Sequence, residues 1–212
     1  MMNEQEIREK LAGMKKTRKT LSALALTAAL VAIAALIAYN LLGVVFCQNE
    51  AFGQTLAACD FAKGYTFPGW QVIFWGMGNQ YIMGGQLFDP SPLGIAAMVG
   101  TLLVLIICLA LRNKGKNKSK AVKEFLSAAC LAYSAVILGF CIAPVALMTA
   151  TNNLSQFRSN VLDVPGTVFT GTAIAVVIGV VLLVCAAVKC CYGLFLLKQK
   201  KLAAQLPKNP QK

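Results

Sequence analysis

Hydrophobic and polar residues come in long blocks along this chain. Four apolar runs, 21–46, 92–111, 121–149 and 167–197, are separated by a long mixed segment, a short basic one and a short polar one. A helix needs about 20 residues to cross a hydrocarbon core of ~30 Å. Every run meets that length. The pattern predicts an all-α membrane protein, a bundle of four transmembrane helices with a small loop domain outside the membrane. The first run follows basic residues, as a signal peptide would. It is far longer than the roughly 7–15 apolar residues of such a peptide and is read as a retained span. In the basic tail 1–20, Ile7, Leu11 and Met14 share one helical face. That spacing fits a short helix at the membrane interface and equally a frayed tail. At about 1.5 Å per residue the fourth run exceeds a bilayer, so it must tilt or project.

The connection 47–91 is the only long segment of mixed polarity. Loops of this length are usually functional or disordered, and its two tryptophans and two cysteines argue for a folded cap. Cys47 and Cys59 lie outside the apolar runs, whereas the other six cysteines lie within them. Two thiols at this spacing outside a membrane read as a disulfide, with a pair of free thiols as the alternative. From Tyr65 to Trp75 the residues favour strand. Gly76, Gly78 and Asn79 supply turn residues, and Gln80 to Met83 can return as a second strand. A short β-hairpin on the membrane surface is the first expectation and a re-entrant segment the second. Trp70, Phe74, Trp75 and Tyr81 form the candidate interaction surface, and an interfacial aromatic belt accounts for them as well.

Small residues mark helix faces that pack closely in lipid. Ala28 and Ala32 lie on such a face of the first span. Gly171, Ala175 and Gly179 form another on the fourth and are expected to meet the first span. Ser127, Tyr133 and Ser134 are candidates for hydrogen bonds between helices.

Charge fixes the expected orientation. The chain has 20 Lys and Arg, 8 Asp and Glu and a net charge of +12. Eighteen of the basic residues fall in or beside the two tails and the 112–120 connection. Only Lys63 and Arg158 fall in the 47–91 and 150–166 connections. The positive-inside rule then places the 1–20 tail, the 112–120 loop and the 198–212 tail in the cytoplasm. The basic segments lack interleaved aromatics, so they imply anionic lipid at the cytoplasmic face rather than nucleic acid. With 58% hydrophobic and 13% charged residues and a mean hydropathy of +0.66, the chain cannot clothe a soluble surface.

The chain contains no histidine, and it has no phosphate-binding glycine loop and no nucleophile beside a base. Neither an enzyme nor a metal or cofactor site is expected. Glu124 and Lys189 lie near the cytoplasmic ends of their spans, which leaves no ionisable group at mid-depth for an ion relay.

The layout, with a large first outer loop and a small second one, resembles the claudin-like tetraspan topology. Here the cysteines precede the tryptophans, so no claudin site carries over. Tyr65-Thr66-Phe67-Pro68-Gly69-Trp70, followed by Asp89-Pro90 before the second span, resembles small four-span membrane proteins of Gram-positive bacteria. That family has no assigned activity. The resemblance covers about half the chain and implies topology and a bacterial source. The expectation is a multi-pass protein of the plasma membrane with a non-catalytic binding or scaffolding role. It would act through its outer loop or its helix faces, on another membrane protein or a second copy of itself. The alternative is a small transporter or pore subunit.

Overall fold

A computed structural model describes residues 4–48, 64–74, 92–112, 117–140 and 168–206. Helix α1 spans Glu4–Leu41 and leads into strand β1, Gly43–Gln48. Strand β2, Tyr65–Pro68, runs into the short helix α2, Gly69–Phe74. Helix α3 covers Pro92–Ala110 and contains a π-helical stretch, Ala96–Gly100. Helix α4 covers Asn117–Ser134 and continues as a second π-helical stretch, Ala135–Phe140. Strand β3, Val168–Gly171, precedes helix α5, Ala173–Ala203. Four of these helices, α1, α3, α4 and α5, are long and apolar enough to cross a membrane.

They alternate in direction. Asn40 of α1 reaches Met98 of α3 at one end, and Arg112 reaches Ser22 at the other. The core runs down the middle through Ala29, Ala32, Leu36, Leu105, Leu131, Leu138 and Leu182. Large apolar side chains such as Leu30, Leu103, Ile106, Val177 and Val184 face outward instead. A water-soluble bundle would not leave such a belt uncovered.

The first apolar run holds two elements. Leu21 to Leu41 is about 31 Å of helix, one hydrocarbon thickness. The helix ends there, and Val44 and Val45, β-branched and buried, begin a strand. Gly43 lies so close to Thr66 that a Cβ on it would stand 2.7 Å from the Thr66 Cβ. β1 is the centre of a three-stranded antiparallel sheet with order β2-β1-β3. Cys47 pairs with Tyr65 on one side and Phe169 on the other.

This corrects the expected hairpin. The strand that begins at Tyr65 stops at Pro68, and its partner is β1. Proline lacks the N–H a ladder needs, and the chain turns there into α2. Gly69 then packs against Tyr39, where a Cβ would overlap the Tyr39 carbonyl. Val72 and Ile73 are buried, so α2 plugs this end of the bundle. The proposed return strand, Gln80 to Met83, lies outside the described residues.

Gly171 is also corrected: it belongs to β3, opposite Val45, and not to a helix face. The fourth helix starts only at Ala173. Thr172 ties the junction down, with its N–H donating to Val44 O and its hydroxyl to Gly43 O, both at 2.9 Å.

At the other end α1 is unbroken from Glu4 into the span, and Ile7 is buried. From Glu4 onward the basic segment is therefore regular helix continuous with the apolar run, and not a separate short helix. Its Glu, Lys, Arg, Leu and Met residues are good helix formers. α1 is about 57 Å long and α5 about 46 Å, so both overrun a bilayer at the end that carries the basic residues.

Candidate functional site

Two places bring polar side chains of different helices together. The first is mid-bundle, between the two π-helical stretches. The Ser134 hydroxyl donates to Ala97 O at 2.6 Å. Thr101 then donates its single hydrogen, shared between Ser134 Oγ at 2.7 Å and Cys130 O at 3.2 Å. Both residues are buried. π-helical turns recur at functional sites because they disturb the regular backbone ladder. Here the hydroxyls bond the carbonyls of the facing helix. Tyr133 adds a bond to Leu93 O at 3.2 Å. Ser127 does not cross between helices; its hydroxyl bonds Lys123 O on its own helix.

One turn beyond, α4 and α5 touch backbone to backbone. A Cβ on Gly139 or on Gly179 would overlap the other's Cα. Gly179 therefore meets α4, whereas the spacing pointed to the first span. Ala28, Ala32 and Ala175 are buried in the main core.

The second place is the basic end. Lys189 lies 16 residues past the start of α5, and Glu124 lies 16 residues before the end of α4 at Phe140. Both are thus about 24 Å from the sheet end of the bundle. Lys189 Nζ is 2.9 Å from Glu124 Oε2, with the side chains 4% and 12% exposed. A lysine or a glutamate is almost never buried unless paired. Each is the sole residue of its sign well inside its apolar run or at that run's entry. That is the signal the sequence offered, but the pairing depends on which faces meet.

On the Glu124 side of this ion pair is a cavity of about 110 Å³, lined by Arg18, Ser22, Cys108, Arg112, Lys120, Lys123, Glu124 and Tyr192. All four long helices contribute to it. Arg112 clamps α1, its Nη2 donating to Ser22 O at 2.5 Å and to Ser22 Oγ at 2.7 Å. Lys123 Nζ donates to Leu111 O at 2.9 Å, where a cation offsets the partial negative charge of a helix C-terminus. Four cations against one carboxylate, itself paired with Lys189, make this an anion-favouring pocket.

Of the aromatic residues singled out from the sequence, the two that the structure describes lie elsewhere. Trp70 is half-buried on α2 and Phe74 is 37% exposed, both at the sheet end. Trp75, Tyr81 and Cys59 lie outside the described residues, and Cys47 contributes its backbone to β1. Among the described residues no group of three or more His, Cys, Asp or Glu is placed to hold a metal ion. No protein-family model matches the chain, and no curated protein or solved structure matches it.

Proposed function

We propose that this chain is a non-catalytic binding protein of the plasma membrane. It has four spans and both termini in the cytoplasm, and it engages its ligand at the cytoplasmic end of the bundle. The observation that carries this reading is a contrast along the bundle axis. The middle is filled by leucines, and its hydroxyls are spent on facing carbonyls. The charged side chains of all four long helices converge at one end. The positive-inside rule supports the orientation, since eighteen of the twenty basic residues belong to that end and its tails. The described part of the outer cap supports a sealing role, because Gly69, Val72 and Ile73 are buried against the bundle.

The rival is a pore or transporter subunit, and flux decides between them. Protein reconstituted in liposomes, with insertion verified by protease protection, is expected to pass potassium, chloride and small neutral solutes no faster than protein-free vesicles. Flux that Thr101→Val or Ser134→Ala alters would overturn the reading, because it would put a conducting path through the bundle core. Orientation is tested separately, by labelling a cysteine at Gln205 in a cysteine-free background. A membrane-impermeant maleimide should reach it only from the cytoplasmic side.

A further inference from the structure

We propose that the basic end of the bundle holds one anionic phospholipid, with its phosphate in the cavity beside Arg18 and Arg112 and one acyl chain along Ala23 and Leu26. The proposal rests on the membrane reading above and names the ligand. Its starting point is a second hollow that shares three residues with the basic cavity. This is an open, mainly apolar groove of about 520 Å³, lined by Lys15, Arg18, Lys19, Ser22, Ala23, Leu26 and Arg112. Arg18, Ser22 and Arg112 line both, so cavity and groove adjoin.

The groove follows one face of α1, where residues three and four apart are neighbours. Along that face chemistry changes in one direction: Lys15, Arg18 and Lys19, then Ser22, then Ala23 and Leu26. A phospholipid has the same order, from charged headgroup to hydrocarbon. Depth agrees as well. Ser22 lies 19 residues, about 28 Å, from the end of α1 at Leu41, and Arg112 lies 20 residues, about 30 Å, past Pro92. Across a hydrocarbon core of ~30 Å these residues reach headgroup level. Ala23 and Leu26 lie on the hydrocarbon side of it.

Charge names the headgroup. Like charges crowded into a small cavity repel, the more so in low dielectric, and a phosphate offsets that repulsion. Guanidinium groups suit it because they donate two parallel hydrogen bonds to phosphate oxygens. Arg112 gives Nη2 to Ser22 and has its Nε and Nη1 donors besides. Basic pockets between membrane helices hold anionic headgroups in this way. A free anion would need the cavity alone; the apolar groove beside it argues for a lipid.

The experiment uses the full chain purified in mild detergent. Native mass spectrometry compares retained dioleoylphosphatidylglycerol with dioleoylphosphatidylcholine, and inorganic phosphate is titrated as competitor. Both lipids present a phosphate, but the quaternary ammonium of phosphatidylcholine brings a like charge to the four cations of the cavity. Phosphatidylglycerol is therefore expected to be retained about tenfold more strongly, on the order of one such charge contact. Arg18→Gln/Arg112→Gln should remove that preference. Ala23→Trp, which fills the exposed groove and leaves every charge in place, should weaken retention several-fold. Arg112 also holds α1, so Arg18→Gln alone is the variant that keeps the clamp, and it should lower the preference in part. Equal retention of the two lipids overturns the proposal. So does a preference unchanged in both Arg18→Gln and Ala23→Trp, which would place it in diffuse attraction to the basic tails. Displacement by millimolar phosphate with no effect of Ala23→Trp would make the pocket a free-anion site and likewise overturn it. Carbonate extraction of native membranes separates this failure from failure of the membrane reading. A chain that stays in the pellet without a lipid preference refutes the lipid site alone.

Discussion

Breaking the Lys189–Glu124 pair on one side should cost far more than removing it altogether. Lys189 is 4% exposed and Glu124 12%, with 2.9 Å between charged atoms. Two ions taken out of water lose several kcal/mol of solvation each, and their mutual attraction repays this only while both are present. Lys189→Met leaves Glu124 without its partner, and Glu124→Gln leaves a buried ammonium facing an amide. Each single change is expected to lower stability by about 3–5 kcal/mol. The basic cavity moderates the first, because Arg18, Arg112, Lys120 and Lys123 line the same space as Glu124; Lys189→Met should therefore fall at the lower end. The double variant Lys189→Met/Glu124→Gln buries no ion of this pair and should recover most of the loss. The assay is reversible unfolding of the full chain in mixed detergent micelles, followed by tryptophan fluorescence, on all four members of the cycle. A coupling energy of about 2 kcal/mol or more is expected, well above the ~0.5 kcal/mol within which independent sites add. Single losses below about 1 kcal/mol that simply sum in the double variant would refute the argument. They would show that water in the cavity screens the pair as it screens a surface salt bridge.

Two further outcomes follow from the packing. Gly179→Ala puts a methyl group onto the Cα of Gly139 and should cost about 1–3 kcal/mol, as overpacking does. Gly193→Ala meets only the Phe125 ring, at 3.1 Å, and should cost less in the same unfolding assay. Ser134→Ala removes the donor to Ala97 O and the acceptor for Thr101. It should cost about 0.6–1.7 kcal/mol, the range of hydrogen bonds between membrane helices. Ser127→Ala loses only a bond within its own helix and should be close to neutral; equal losses for the two serines would remove the Thr101–Ser134 contact from the account.

The four long apolar helices were legible in the sequence because the length needed to cross a membrane is a one-dimensional requirement, met by about 20 successive apolar residues. The gathering of basic residues at one end was legible for the same reason, since loop charge is counted along the chain. Ser134 and Tyr133 were legible as helix-bridging groups, because a hydroxyl in an apolar run has few other partners. What the sequence did not yield is whatever depends on which faces meet. Val44-Val45-Phe46 continues an apolar run without interruption. It becomes a strand only because Tyr65–Pro68 and Val168–Gly171 come to lie on either side of it, the latter more than 120 residues away. Gly179 faces α4 and not α1, since Gly139 removes the bulk from the opposing helix. Glu124 and Lys189 could each have faced headgroups alone. Their equal depth on facing helices makes them a buried pair, and the cavity exists only where all four long helices come together. Apolar length and charge asymmetry are written into the chain order; pairing, close approach and cavity shape arise from side chains far apart in sequence, and tertiary packing alone decides them.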